Sequence, residues 1–491
     1  MLPGRMLSHV DASLVSQRTQ LDSLSMLAKG SRVVVLGGSV IGIVVAGSVS
    51  RLRPDCEVVL LEPSLLLGGP HLRGVMYDSA EIYFDFGAHT IQETGHLPID
   101  DFLTPSDSRL MIHSEDLAGL VFGGQLHDGA RYPDFRGVVP QAELDSQVGL
   151  LLSRPSSLQL DRGQSLTALA TQRFGPQVAT IICDTISKTL GIDNTELAGY
   201  ALDLFGVQRV VVSDERTWNL HSQNDSFRSA IGHPTPGNLP PQFRHGRRTI
   251  YGRPHGTRSL VSALVNNLGE VHVYTGAKDM VFSEGESSLT FETFEGQRKR
   301  LTWDRLLVAQ PANRFMQLIE PPTSMAQRTH VEMMPHAFVN LQIQTLHVPE
   351  SHYWTVLDPP SQDLPRPFRV TNYSALAGPA DPSRFTVEFI NTNMEDAALE
   401  RSALEHLKDL GIVGREVQPT FCAVERTPAG FPRPTLENMD VIRSQGVELD
   451  EYLPPLTTFI GTGADPSRLF QSEQFEAVWR SFLRSLSAGD E

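Results

Sequence analysis

One stretch near the amino terminus constrains the fold of this chain more than any other. It reads as a β-branched strand, a glycine-rich turn, a helix and a second buried strand, at Val33–Leu36, Gly37–Gly42, Ile43–Leu52 and Glu57–Leu61. An acidic residue, Glu62, follows twenty positions after the last glycine of the turn. This order predicts a βαβ unit with parallel, buried strands.

The turn of this unit suits a bound pyrophosphate. Glycines permit the sharp strand-to-helix turn, and the helix N-terminus offers free N–H groups and a partial positive charge. A carboxylate ending the second strand can accept hydrogen bonds from a ribose. The pattern predicts dinucleotide binding, although Ser39 stands where the motif has its second glycine. The alternatives are an ordinary βαβ core unit or, for the 17 uncharged residues Val33–Val49, a membrane helix, which needs about 20.

The composition argues against several classes of protein. The chain has 491 residues, 40% of them hydrophobic and 20% charged, which is typical of a soluble globular protein with two or three structural units. Its net charge of −16 argues against nucleic acid or an anionic membrane as the main partner. The three cysteines lie far apart and the histidines lack metal-ligand spacing, so we expect no disulfide framework and no metal. Residues 1–30 form a polar lead without a signal peptide, which predicts a cytoplasmic protein.

Later segments predict how the rest of the chain is arranged. We expect short strands and turns over 97–150, a helical insertion over 160–205, a long mobile loop over 213–248 and a turn at 251–257. The strand-rich residues 330–395 predict a mostly antiparallel sheet. Asp304–Ala309 and Thr457–Asp465 read as further buried strands of the first sheet, and a helix over Gln474–Leu486 closes the chain.

Several motifs occur together in an order typical of one superfamily. They are VVVLGGSVIG, the acidic strand end, Gly68-Gly69, FDFGAH, SLTALATQRFG to LGIDNTEL, RPHGTRSL and DRLLVAQP. With these motifs the chain resembles the flavin-dependent superfamily of amine oxidases, protoporphyrinogen oxidase and UDP-galactopyranose mutase. Its second half is most similar to the mutase-like branch, in the blocks YWTVLDPPSQDLPRPFRVTNYS, FTVEFI, GFPRPTLENMD and FIGTGADPSRLF.

The resemblance implies an α/β fold with a discontinuous Rossmann-type FAD-binding domain. That domain would follow the lead 1–30 and comprise 31–95, 250–315 and 455–490. A substrate domain with an antiparallel sheet, from 96–249 and 316–454, would carry the small helical insertion at 160–205. The resemblance also implies non-covalently bound FAD and a small-molecule substrate, with no particular oligomeric state.

The resemblance assigns roles to individual residues. At the adenine-nucleotide end of FAD it places Gly37, Gly38, Ser39 and Gly42 at the pyrophosphate, Gly68 and Gly69 over the phosphates, Glu62 at the adenosine ribose and the Val281 backbone at the adenine. At the flavin end it places Gly87, Ala88 and His89 against the isoalloxazine. Near the ribityl chain and the ring it places Gly461, Thr462, Gly463 and Asp465. Among the candidate catalytic residues, His89 would position the ring or relay a proton, and Arg369 would hold a substrate carboxylate or phosphate. The alternative for Arg369 is an exposed strand arginine in a solvated ion pair. Glu388 and Glu425 are acid–base candidates only if they face the site.

The sequence departs from the mutase branch at several positions. Thr462 stands in place of an arginine, Phe431 and Val356 in place of tyrosines, and Phe470 at an aromatic position near the C-terminus. Pro70 follows the glycine pair, where oxidases commonly have arginine. We therefore expect a drier pocket that binds UDP-galactose poorly.

Three functions remain open at this point. The first is an FAD-dependent oxidoreductase acting on a small metabolite by hydride transfer to flavin N5. The second is a mutase-like, non-redox flavoenzyme acting on a nucleotide sugar, which gains support if the basic loop with Arg244, Arg247, Arg248 and Arg253 folds over the site. The third is a catalytically degraded scaffold that acts through a partner.

Overall fold

The structure is a computed structural model that describes residues 27–69, 74–77, 82–87, 89–114, 117–154, 162–235, 239–240, 247–283, 285–319, 330–358, 365–379, 382–465, 471–483 and 486. Its strands are β1 (Arg32–Leu36), β2 (Glu57–Glu62), β3 (Val75–Tyr77), β4 (Ile82–Phe84), β5 (Ile91–Gln92), β6 (Leu110–His113), β7 (Ala118–Phe122), β8 (Gln125–His127), β9 (Thr249–Gly252), β10 (Val271–Thr275), β11 (Lys278–Phe282), β12 (Ser288–Glu292), β13 (Arg298–Thr302), β14 (Arg305–Val308), β15 (His336–Ile343), β16 (Tyr353–Val356), β17 (Arg369–Asn372), β18 (Ser383–Ile390), β19 (Phe421–Thr427) and β20 (Thr457–Phe459). Its helices are α1 (Val40–Leu52), α2 (Leu97–Leu103), α3 (Gln141–Leu152), α4 (Leu166–Phe174), α5 (Pro176–Leu190), α6 (Tyr200–Leu204), α7 (Glu215–His221), α8 (Asp225–Ala230), α9 (Gly256–Asn266), α10 (Ala312–Met316), α11 (Tyr373–Ala377), α12 (Asp396–Asp409), α13 (Leu436–Tyr452) and α14 (Gln471–Val478). A π-helical turn, Trp479–Leu483, follows α14.

A parallel sheet with the strand order β10-β2-β1-β14-β20 contains the first βαβ unit. One face packs against α1, α9 and α14, and the other against α10, α13 and the antiparallel sheet β11-β12-β13. Burial on both faces explains why β1 after Arg32, and β2 between its two terminal glutamates, are entirely apolar. The carboxyl ends of all five strands meet at one edge, where a parallel sheet places its ligands.

A second sheet, in the order β19-β15-β18-β17-β16-β7-β8, is antiparallel except between β16 and β7. One face is apolar and packs beneath α12 through residues such as Val339, Val370 and Val387. Because neighbouring residues of a strand point to opposite faces, Phe338, Arg369 and Glu388 lie on the other face. The predicted α/β class, with a parallel and a mostly antiparallel sheet, is confirmed.

Helices α3 to α8 pack around one apolar core. The prediction of a long mobile loop over 213–248 is wrong for its first part, which forms α7 and α8. Asp214 and Asn224 cap these two helices, and Trp218 and Phe227 are buried between them and their neighbours. Residues 236–238 and 241–246 of that segment lie outside the described residues.

Three smaller predictions also need correction. Residues 97–150 contain the helices α2 and α3 as well as strands. Tyr251 and Gly252 belong to β9, which pairs with β5 and β6, so the expected turn begins only at Arg253. The closing helix starts at Gln471 and becomes a π turn at Trp479. Most of the predicted N-terminal lead lies outside the described residues, and among those described no helix is long and apolar enough to cross a membrane.

His406 makes the stability of the second sheet depend on pH. It lies buried on α12, and its Nε2 accepts a hydrogen bond from Trp354 Nε1 at 3.5 Å. Burial lowers the pKa of His406 from 6.5 to about 3, with a further contribution from Arg366. Since the unfolded imidazole binds protons below about pH 6.5, stability is full above that pH and falls toward pH 3.

We therefore expect His406 to account for a loss of about 2 kcal/mol in the free energy of unfolding between pH 7 and pH 5. In urea titrations at both pH values, His406→Gln should remove this part of the difference. The matched control is His347→Gln, at an exposed histidine, which should leave the difference unchanged. An equal pH dependence in wild type and His406→Gln would contradict the assignment.

Candidate functional site

The turn between β1 and α1 has no room for a side chain at its three glycines. Gly37 has a φ of +111°, which favours glycine, and its amide donates to the Leu61 carbonyl at 2.8 Å. A Cβ atom on Gly42 would lie 1.8 Å from the Gly37 carbonyl oxygen, and one on Gly38 would lie 2.4 Å from Leu67. The predicted glycines thus form a tight turn at the carboxyl end of β1.

Ser39, the departure from the glycine pattern, is the N-cap of α1, and its Oγ accepts a hydrogen bond from the Gly42 amide at 3.4 Å. We expect Ser39→Ala to lower the free energy of unfolding by about 0.5–1 kcal/mol, because alanine cannot cap. Ser39→Gly should cost only a few tenths of a kcal/mol, since glycine is tolerated at this position. Urea titrations of both variants test this, and equal losses would contradict the capping role.

Glu62 and the following loop are tied to this turn. The Glu62 carboxylate accepts hydrogen bonds from the Gly38 amide at 2.5 Å and the Ser64 amide at 2.7 Å, and it is buried. The Gly68 amide donates to the Gly38 carbonyl at 2.6 Å, while Gly69 has open space at its Cα. The structure therefore brings the acidic strand end and the glycine pair to the turn, as the motif predicts.

The ends of β14 and β20 complete this edge of the sheet. A Cβ on Gly37 would lie 2.8 Å from the Gln310 side chain, and one on Gly461 would lie 1.8 Å from the Gln310 carbonyl oxygen. The Thr462 carbonyl accepts from the Ala312 amide at 2.8 Å. Gln310 is buried, and its Oε1 has no partner among the described residues. A ligand with hydrogen-bond donors, bound at this glycine-lined edge, would satisfy this buried oxygen.

Gly463, Asp465 and Val281, also predicted at the cofactor, have fewer contacts that tie them to this edge of the parallel sheet. Gly463 has a φ of +83°, and Asp465 is half-buried after it. Val281 lies in the β11 ladder opposite Thr290 with its side chain 53% exposed. The segment before β11 reaches the site, since the Ala277 amide donates to the Glu62 carbonyl at 3.1 Å.

Asp85, which the sequence reasoning missed, anchors the segment before His89. Its carboxylate is 1% exposed and accepts hydrogen bonds from Tyr83 Oη at 2.9 Å, Tyr251 Oη at 2.6 Å, the Thr257 amide at 3.0 Å and Thr257 Oγ1 at 2.5 Å. The Tyr373 hydroxyl bonds both backbone groups of Asp85, its amide at 3.1 Å and its carbonyl at 3.0 Å. These contacts fix the backbone that leads into Gly87. The aspartate in FDFGAH was a signal that could have been used.

Arg369 is paired, and the pair is buried. Its Nε and one terminal nitrogen donate to the two Glu388 oxygens at 2.7 and 2.8 Å. The side chains are 19% and 1% exposed, so the expected alternative of a solvated pair is wrong, while the pairing itself is correct. Burial alone would lower the pKa of the Arg369 guanidinium, but Glu388 raises it, so the arginine is charged. A Cβ on Gly87 would lie 2.7 Å from Glu388 Oε1, which places the pair directly against this glycine.

His89 lies beside this pair. Burial lowers the pKa of its imidazole below the usual range, and Arg369 acts in the same direction, whereas Asp85 and Glu388 oppose the shift. The imidazole is therefore neutral near pH 7. Ala88, predicted at the same position, lies outside the described residues.

A row of in-register residues crosses the face of the second sheet that points away from α12. Arg369, Glu388, Phe338 and Glu425 stand opposite one another on β17, β18, β15 and β19. Phe338 packs on the Phe86 ring, with the centroids 5.3 Å apart, so this face lies next to the 85–89 segment. Glu388 and Glu425, weighed only as conditional candidates from sequence, thus both belong to the site face.

The structure gives the positions of two residues that differ from the mutase branch, Val356 and Phe431. Val356 is fully buried in the apolar layer beneath α12, so it does not line the site face. Tyr353 does lie on the Arg369 side, opposite Thr371. Phe431 packs edge-on against His336, with the ring centroids 5.2 Å apart. Phe470 and Pro70 lie outside the described residues.

Two of the four basic residues proposed to close over the site bind elsewhere, and Arg247, which is also described, is exposed. Arg248 pairs with Glu93 and donates to it at 2.8 Å, and Arg253 donates to the Ser108 carbonyl at 3.0 Å. Arg244 lies outside the described residues.

Comparison with known proteins shows the fold. A UDP-galactopyranose mutase in its reduced form is 13% identical, covers 95% of this chain with 94% of its own, and has a TM-score of 0.61. An Exiguobacterium protein assigned as a protoporphyrinogen oxidase is 17% identical over 94% of this chain and 100% of its own, with a TM-score of 0.56. Cyclohexylamine oxidase from Brevibacterium oxydans is 14% identical over 94% and 98%, with a TM-score of 0.51.

No protein-family model and no curated protein sequence matches the chain. The resemblance drawn from the motifs is confirmed by these structures for the fold: the chain has the architecture shared by amine oxidases, protoporphyrinogen oxidase and UDP-galactopyranose mutase.

Proposed function

We propose that this protein is an FAD-dependent oxidoreductase that acts on a small metabolite carrying an amine or alcohol carbon. The single observation that carries the choice of chemistry is the charge of this row of residues. Arg369 is neutralised by Glu388 in a bidentate pair, and Glu425 adds a further negative charge in the same row. The row therefore has a net charge of about −1, which disfavours a diphosphate, the group that the mutase reaction must hold. Arg384, which strand alternation puts on the same face as Glu388, donates to the Tyr83 carbonyl at 3.0 Å.

The glycine-lined edge of the parallel sheet fits FAD. Gly37, Gly38, Ser39 and Gly42 would hold its pyrophosphate at the amino end of α1, and Glu62 would accept from its ribose. The unpartnered Gln310 oxygen supplies an acceptor at the same edge. We propose that the cofactor is bound non-covalently, so acid precipitation of the purified protein should release all of the flavin.

The residues beside Gly87 would handle the substrate. When bound, FAD would supply the hydride acceptor at N5. The neutral His89 imidazole can accept the proton of the substrate N–H or O–H as the carbon is oxidised, because burial keeps it unprotonated at pH 7. Asp85 holds the segment that precedes His89, and Glu388 keeps Arg369 in a fixed orientation.

The test begins with the absorption spectrum of the purified protein, then anaerobic reduction by dithionite and reoxidation in air. Stoichiometric flavin bands, with anaerobic bleaching by a member of an amine, amino-acid or alcohol panel, are the expected result. A flavin that no member of the panel reduces, together with UDP-galactopyranose turnover only in the reduced state, would establish the mutase instead. No flavin after addition of FAD would overturn both and leave the scaffold.

The mutase remains the second candidate because of one observation. Of the three structures compared, the reduced UDP-galactopyranose mutase has the highest TM-score, 0.61. In that case the outer nitrogen of Arg369, which Glu388 does not bind, would meet the diphosphate.

A further inference from the structure

Glu425 is a half-buried carboxylate that no basic side chain of the described residues pairs with. Its Oε1 accepts a hydrogen bond from the Tyr77 hydroxyl at 2.8 Å. Asn340 Nδ2 donates to that same hydroxyl at 3.2 Å, so the tyrosine proton is directed at Glu425. Thr386 Oγ1 donates to Asn340 Oδ1 at 2.7 Å, which fixes the amide orientation. Three residues thus hold the carboxylate in place without neutralising it.

The surface around this carboxylate is aromatic. The Tyr77 ring lies against Phe421 with the centroids 4.7 Å apart. Phe338 stands between Glu425 and Glu388 in the register of the sheet. Aromatic faces beside a carboxylate favour a cation, which gains from the ring quadrupole as well as from the charge.

The strand spacing places the Glu425 carboxylate away from Gly87 and His89, where the proposed reaction takes place. Two strand separations, about 10 Å, lie between Glu425 and Glu388, which is packed against Gly87. A ligand that covers the half-buried Glu425 takes its carboxylate out of water, which is costly without a counter-charge, and Arg369 is already committed to Glu388. The positive charge that Glu425 lacks among the described residues can therefore come from the ligand itself.

We propose that Glu425, oriented by Tyr77, is a subsite for a second, non-reacting cationic group of the substrate, an ammonium or a guanidinium. This proposal rests on the proposed function, since it takes Gly87 and His89 as the reacting end. The substrate is then bifunctional, with the oxidised carbon and the cation separated by about 10 Å or somewhat less.

Binding of a matched pair of probes tests the subsite without turnover. Calorimetric titration of the purified protein, with its flavin content measured, compares butylguanidinium with its neutral isostere butylurea. We expect wild type to prefer butylguanidinium by at least about tenfold, and Glu425→Gln to lose that preference while its affinity for butylurea stays the same, since one ion pair in a half-buried site is worth about 1.4 kcal/mol or more.

The matched control is Glu416→Gln, which removes an exposed carboxylate five residues before β19 and should retain the preference. Equal affinities for the two probes in wild type, or equal effects of Glu425→Gln and Glu416→Gln, would overturn the proposal. If Glu425→Gln does not fold, Glu425→Asp decides: the shorter side chain must weaken butylguanidinium binding several-fold, and no change would overturn it. Because the readout is binding, a flavin that no substrate reduces defeats the proposed function and leaves this result standing.

Discussion

Replacing Arg369 with methionine is expected to lower the free energy of unfolding by about 3–5 kcal/mol. The substitution would leave Glu388, which is 1% exposed, as a buried carboxylate without its bidentate partner. A proton can neutralise that carboxylate, so the loss should shrink as the pH is lowered. Urea titrations at pH 8 and pH 5 measure both effects. The double variant Arg369→Met, Glu388→Gln should recover most of the loss, because no buried charge remains.

The control for this experiment is an exposed pair of the same composition. Arg300 and Glu286 are 59% and 57% exposed and pair at 2.7 Å, so Arg300→Met should cost no more than about 1 kcal/mol. Equal losses of stability in the two methionine variants would show that the Arg369 pair is solvated. The alternative stated from the sequence, an exposed strand arginine in a solvated ion pair, would then be correct.

The first βαβ unit could be predicted closely because its signals are local. The β-branched runs of β1 and β2 and the glycines between them specify buried strands and a tight turn without reference to the rest of the chain. The helix begins at Val40 rather than Ile43, because Ser39 acts as its cap. In the glycine motif, a serine three residues before Gly42 is a departure from the expected glycine. At the start of a helix, the same serine is a favourable N-cap residue.

The Arg369–Glu388 pair could not be predicted, because it depends on strand register. The two residues are 19 positions apart and meet only because β17 and β18 pair antiparallel with Arg369 opposite Glu388. A shift of β17 by one residue against β18 would turn Arg369 to the α12 face and separate it from Glu388. The same argument applies to Val356, whose place in the mutase-like block suggested a site residue and whose strand position puts it on the buried face.

The helices α7 and α8 were missed for a different reason. Their segment is polar, and the two apolar residues that anchor it, Trp218 and Phe227, are nine positions apart, too far for a periodic pattern. The cap residues Asp214 and Asn224 were local signals. The polar composition therefore led to the prediction of a loop despite the two cap residues. In the structure the segment is helical, and it buries the Trp218 and Phe227 rings.

Gly42→Ala is expected to weaken FAD binding by at least about 100-fold, roughly 2.7 kcal/mol. The added methyl group would lie 1.8 Å from the Gly37 carbonyl oxygen, a backbone atom that cannot move aside without opening the turn. An opened turn withdraws the amide groups at the start of α1 from the pyrophosphate, where they are most effective. Titration of the flavin-free protein with FAD, followed by fluorescence quenching, measures the change.

Gly149→Ala separates this effect from a general sensitivity to added methyl groups. Gly149 lies in the interior of α3 with nothing within 4 Å of an added Cβ. Alanine there should stabilise the protein by about 0.5–1 kcal/mol and leave FAD affinity unchanged, since glycine is the weaker helix former. Wild-type FAD affinity in Gly42→Ala would show that the pyrophosphate does not lie at this turn, and the cofactor assignment would then have to move to another edge of the sheet.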